Sequence, residues 1–119
     1  MRIHLAADYL GYDLARQLEA WLKANHDVIW HAGDEIDEGD DYPLFAVRVG
    51  QAVIHDEDQG LDTFGILVGG SGNGEVIALN KVKGVRAALA VNSCTAALEI
   101  AFAAIGLEKN DEVIVPSFT

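Results

Sequence analysis

Short apolar runs alternate along this chain with longer stretches whose apolar positions recur at helical spacing. Ile3–Ala7, Val28–Trp30, Gly65–Val68, Ala87–Val91 and Glu112–Val115 read as strands, and their largely apolar character is that of buried parallel strands. Between them, Asp13–Asn25 carries Leu14, Leu18, Trp21 and Leu22 as a helical stripe. Pro43–His55 predicts a second helix, with Asp40 and Asp41 as N-cap candidates and Pro43 in the first turn. Glu75–Val82 predicts a short third helix. Thr95–Ile105 predicts a fourth, capped by Ser93 or Asn92 and stopped by Gly106.

Five strand-type segments in regular alternation with helices imply one α/β domain over residues 1–119 with a parallel sheet. If the strand order is the doubly wound 2-1-3-4-5, right-handed crossovers put the first helix on one face and the other three on the opposite face. A fifth helix would lie beside the first, and the sequence stops at Thr119 without one. The expectation is therefore a half-covered apolar face, buried in a homodimer. Trp21 and Trp30 are expected in the core, with Trp21 at the border of a binding groove as the alternative.

Composition narrows the function classes. No apolar run approaches the roughly 20 residues that span a bilayer. The first residues enter a strand-like pattern at once, without the form of a signal peptide. A single cysteine, Cys94, excludes an internal disulfide and fits a reducing cytoplasm. The net charge of −11, from 19 acidic and 8 basic residues, disfavours nucleic acid and anionic membranes as partners. The acidic stretch Asp34–Asp41 reads as a solvated loop in preference to a Ca²⁺ loop. His4, His26, His31 and His55 lack metal-ligand spacing and are expected at the surface or at helix ends. Cys94, at a helix start, reads as a small packed residue in preference to an activated thiol.

The chemistry concentrates in Gly69–Glu75, Gly-Gly-Ser-Gly-Asn-Gly-Glu, directly after the apolar run Phe64–Val68. In an open parallel sheet, ligands bind beyond the carboxyl ends of the strands, where strand order reverses. Asp8 and Gly69–Glu75 are expected to meet there. Glu75 would lie in the first turn of a helix, placed to act as a base. Ser71 and the N–H groups of the bend would stabilise an enediolate oxyanion. The plainer reading is a tight strand-to-helix turn with Glu75 as an ordinary N-terminal helix acid.

Met1 to about Leu89 resembles ribose-5-phosphate isomerase B and the related galactose-6-phosphate isomerases. The matching pieces are Arg2–Asp8, Gly11-Tyr12-Asp13-Leu14, Asp41-Tyr42-Pro43, Gly69–Glu75, Asn80-Lys81-Val82, Gly84, and Arg86 with Ala87-Ala88-Leu89. The resemblance implies a flavodoxin-like or Rossmann-like three-layer sandwich, a dimer, and aldose–ketose isomerisation of a sugar phosphate without metal or other cofactor. One branch of that family uses a cysteine base at the position of Gly69; this chain is similar to the branch whose base is the glutamate at Glu75. By the same analogy Asp8 would help open the sugar ring, Ser71 and the amides from Gly70 through Gly72 and Asn73 to Gly74 would hold the enediolate, and Tyr42 would line the pocket. Tyr9 stands where the family has a histidine, Phe102 stands near another, and the family's phosphate-binding arginines are expected beyond Thr119.

A second resemblance begins where the first fades. Val91–Leu98, Ala103–Gly106 and Asp111–Thr119 resemble DegT-type sugar aminotransferases. In those pyridoxal-phosphate enzymes a Ser-x-Thr turn, here Ser93 and Thr95, holds the cofactor phosphate. Their Schiff-base lysine and pyridine-nitrogen acid come later in the sequence, so no cofactor is expected here. Taken together, the residues read as an engineered or recombined chimera, isomerase-like over 1–90 and aminotransferase-like over 91–119. It would bind phosphate or a sugar phosphate weakly and catalyse little. The alternative is an active isomerase that interconverts ribose 5-phosphate and ribulose 5-phosphate through Glu75.

Overall fold

The computed structural model describes residues 1–39 and 42–85. In chain order these form β1 (Arg2–Ala7), α1 (Tyr12–Leu22), β2 (Asp27–Trp30), α2 (Tyr42–Asp58), β3 (Thr63–Val68) and α3 (Asn73–Lys81). The strands are parallel in the order β2-β1-β3, with Leu5 beside Trp30 on one side and Ile66 on the other. These are the first three positions of the expected 2-1-3-4-5 order. The strands expected at Ala87–Val91 and Glu112–Val115, the helix at Thr95–Ile105 and the caps Asp40 and Asp41 lie outside the described residues.

Alternation along β1 divides the core in two. Leu5 and Ala7 face α1 and pack with Ala15, Leu18, Val28, Trp30, Ile66 and Val68. Ala6 faces α2 and packs with Phe45, Val49, Ala32, Val53 and Leu67. The central strand is thus apolar on both faces, as a covered parallel strand must be. Helix α2 comes unusually close to β3 because Gly65 has no side chain. A Cβ there would stand 2.9 Å from Val49 Cγ1 and 3.0 Å from Val53 Cγ2.

Helix α1 buries only half of its expected stripe: Leu18 and Leu22 face the core, and Leu14 and Trp21 do not. Its inward residues are Ala15, Glu19 and Leu22, while Leu14 and Trp21 are 54% and 56% exposed. Small Ala15 lets the helix approach the strands, and Glu19 is tolerated inside because Arg16 and Lys23 each reach its carboxylate at 2.8 Å. Trp30 keeps its expected place in the core and donates its indole N–H to the Gly33 carbonyl. The helix ends at Leu22, before the expected Asn25, in a tight turn where the His26 N–H reaches the Leu22 carbonyl at 2.9 Å.

His4 is not at the surface. Its side chain points to the α2 face of β1, where Nε2 donates to Asp56 Oδ2 at 3.0 Å and Nδ1 meets His31 Nε2 at 2.8 Å. The same Asp56 oxygen accepts from Arg2, whose guanidinium also reaches Asp27. With Asp56 ionised, one proton lies between the two facing imidazole nitrogens. A proton on each would break that bond. Sequence spacing missed this network because its members come from β1, the end of β2 and α2.

Burial, then the neighbouring His4 and the Arg48 guanidinium, push the His31 imidazole below its ordinary value of 6.5. The hydrogen bond from His4, reinforced by Arg2, holds the Asp56 carboxyl below 3.8 against the opposing effect of burial. As pH falls through 6.5, the unfolded chain takes up a proton that folded His31 refuses, so stability falls until its folded value is passed. The Asp56 contribution is present above 3.8 and is lost only at lower pH, as its folded value is crossed. A urea midpoint lower at about pH 5.5 than at about pH 8 is expected, and His31→Gln should remove most of that difference.

Candidate active site

Parallel pairing in register brings Ala7 beside Val68, so the chain leaves β1 and β3 at the same level. The two loops touch immediately. The Asp8 N–H donates to the Val68 carbonyl at 3.1 Å, and a Cβ on Gly11 would lie 2.4 Å from that carbonyl oxygen. Leu10 lies over Gly70, where a Cβ would meet its Cδ1 at 2.5 Å. Asp8 is 8% exposed, and its carboxylate accepts the Gly11 N–H at 2.8 Å and the Gly70 N–H at 3.3 Å.

Gly72 turns the bend into α3 with φ of +74°, a left-handed conformation that favours glycine. Ser71 Oγ accepts the Asn73 N–H at 3.4 Å, and the Gly72 carbonyl accepts the Val76 N–H at 3.1 Å. The Gly74 and Glu75 N–H groups, in the first turn, have no partner among the described residues. They are donors available to an oxyanion. Gly70, Ser71 and Asn73 are exposed in this bend, and Tyr9 is exposed in the loop after β1.

Glu75 differs from its neighbours. It is 4% exposed, and its carboxyl makes no hydrogen bond among the described residues. The side chain folds back over Gly69, so that Oε1 lies 1.6 Å and Cδ 2.5 Å from the point a Cβ on residue 69 would occupy. Asp8 Oδ2 lies 3.2 Å from the same point. Two carboxyl groups therefore share the end of β3, one satisfied by backbone N–H groups and one free of such bonds among the described residues. Tyr42 closes the opposite side: a Cβ on Gly74 would meet its ring at 2.5 Å and its hydroxyl at 2.8 Å.

Asp8, Tyr9, Tyr42, Gly70, Ser71, Gly72, Asn73, Gly74 and Glu75 thus come together at one edge of the sheet. Ser93 and Thr95 lie outside the described residues. Sequence reasoning missed Arg48, which reaches the His31 carbonyl at 3.5 Å just past β2. Its position two turns into α2 gave no sign of this. Among the described residues, no group of three or more His, Cys, Asp or Glu side chains is arranged to hold a metal ion, and no helix is long and apolar enough to cross a membrane.

The protein-family model described as Ribose/Galactose Isomerase matches residues 3–104. The chain belongs to that family. Ribose-5-phosphate isomerase B of Mycobacterium tuberculosis is 42% identical over 99 residues, which cover 82% of this chain and 59% of that protein. The crystal structure of ribose-5-phosphate isomerase B from Mycoplasma genitalium with bound ribulose-5-phosphate superposes with a TM-score of 0.69 at 40% identity, covering 82% of this chain and 62% of that one. The Clostridium thermocellum ribose-5-phosphate isomerase B gives a TM-score of 0.64 at 37% identity, covering 78% and 60%. The chain spans about three-fifths of the length of the curated relatives it matches. The family match continues through residue 104, past the expected boundary near 90, so the segment containing Ser93 and Thr95 is isomerase-like. A join to an aminotransferase fragment is not shown by these matches.

The contact between Gly69 and Glu75 has a measurable consequence. Gly69→Ala must drive the Glu75 carboxyl from its seat and is expected to cost about 1–3 kcal/mol in chemical denaturation. In a Glu75→Ala background the same substitution should cost much less. Additive effects in that double-mutant cycle would contradict the contact.

Proposed function

We propose that this chain carries the proton-transfer site of a sugar-phosphate aldose–ketose isomerase, with ribose 5-phosphate and ribulose 5-phosphate as the substrate pair. The observation that carries the proposal is the Glu75 carboxyl, buried yet unbonded among the described residues, at the carboxyl end of β3 beside open helix N–H groups. Family membership and the relative bound to ribulose-5-phosphate support the choice of substrate.

In this reading Glu75 removes the C2 proton of the open-chain aldose as electrons move to the C1 carbonyl oxygen. The resulting enediolate is stabilised by the Ser71 hydroxyl and the amides of the glycine bend. Glu75 then returns the proton to C1, and the hydroxyl proton on O2 passes to O1, leaving the C2 carbonyl of the ketose. Tyr9, Tyr42 and Asn73 border the sugar. A cytoplasmic homodimer is part of the same proposal. The reading of a chimera with little catalysis rests on the aminotransferase-like pattern of 91–119, and the family match through 104 removes much of its basis.

Glu75→Gln keeps the size of the side chain and removes the base. It should lower the conversion of ribose 5-phosphate by about 10²–10⁴-fold, and it should equally suppress exchange of the C2 hydrogen with deuterated solvent. Wild-type protein without turnover or C2 exchange would sink the isomerase reading in favour of the silent one.

A further inference from the structure

We propose that Asp56, His4 and His31 form a proton relay: a proton taken up at the outward nitrogen of His31 is passed inward and settles as charge on His4. The relay stands apart from the isomerase reading above and uses none of its residues.

The proton positions follow outward from the carboxylate. Asp56 is held ionised by His4 and Arg2 and can only accept. His4 Nε2 therefore carries a hydrogen. In the neutral ring this leaves the lone pair on Nδ1, so the hydrogen in the 2.8 Å contact belongs to His31 Nε2. His31 then has its own lone pair on Nδ1, which has no partner among the described residues and is not enclosed. That is the one ring nitrogen of the two residues still open to a proton.

A proton added there makes His31 a cation, and transfer of its Nε2 hydrogen to His4 Nδ1 makes it neutral again. One proton enters, one crosses, and both hydrogen bonds survive. The bond between the rings now runs from His4 to His31, and the outward nitrogen has changed from acceptor to donor. Neighbouring charges decide where the charge rests. His31 faces the Arg48 guanidinium of α2 and forms no ion pair among the described residues. His4 lies against Asp56, whose other partner is Arg2, itself shared with Asp27 of β2. From β3 only Gly65 stands beside His4, and it brings no charge. Burial opposes a charge on His4, yet a buried charge is tolerated where it is paired and hydrogen-bonded, and only His4 meets that condition.

The test follows the imidazole ¹⁵N resonances of the whole labelled chain as pH is lowered from about 8 to about 5. At the upper end both rings should carry hydrogen on Nε2 alone. At the lower end His4 should carry hydrogen on both nitrogens, and His31 on Nδ1 alone. The ¹⁵N–¹⁵N coupling across the bond between the rings should persist throughout. Two hydrogens on His31 with one on His4, or loss of that coupling as the proton is taken up, would overturn the relay. Asp56→Asn removes the anion that draws the charge inward, so the added proton should then stay on His31. A doubly protonated His4 in that variant would contradict the role given to the carboxylate. Arg48→Gln, on the exposed side of α2, serves where Asp56→Asn does not fold. It should raise the pH of proton uptake and leave the charge on His4, and a charge moved to His31 would count against the relay.

Discussion

The Glu75 carboxyl occupies the space in which a side chain on residue 69 would begin, and the rest of the site is arranged around that fact. A glutamate six residues downstream can fold back to the end of β3 only if the chain reverses at once, which the left-handed Gly72 achieves. Helix α3 must then start immediately, which leaves its first N–H groups open beside the carboxyl. The glycines of the bend are therefore not interchangeable. Gly69 makes room for the carboxyl, Gly72 turns the chain, Gly70 passes under Leu10, and Gly74 admits the Tyr42 ring.

The molecule buries several carboxyl groups despite its acidic balance, and it treats them differently. Asp56 is met by Arg2 and His4, and Glu19 by Arg16 and Lys23. Asp8 is met by backbone N–H groups alone. Each of these follows the rule that a buried charge is paired or hydrogen-bonded. Glu75 has no such hydrogen bond among the described residues, and it lies beside the open N–H groups at the start of α3. The basic side chains of the Arg2 and Glu19 networks are committed to structure.

Much of this was legible in the sequence because it depends on local pattern. The apolar runs ending at Ala7 and Val68, followed by Asp8 and the glycine bend, are enough to place both loops at one edge of the sheet. Helix rotation was less legible. Of the stripe Leu14, Leu18, Trp21 and Leu22, only Leu18 and Leu22 reach the core, because Ala15 draws its own side of α1 onto the sheet and two cations make Glu19 acceptable there. The His4–Asp56 network was invisible for another reason: its partners are separated by 52 residues and share no motif. The seat of Glu75 on Gly69 is a matter of three-dimensional contact, and spacing suggested only that the two were neighbours.

Gly65 lies in the middle of β3, several residues before any site residue, yet it fixes how near α2 can come to the sheet. The first residue of that helix is Tyr42, which stands against Gly74. How Tyr42 meets the glycine bend is therefore set from afar, by the thickness of an apolar seam. Core residues along that seam, Val49 and Val53 among them, are gauges as much as ballast. Their size is constrained by the helix position they set as well as by the core they fill.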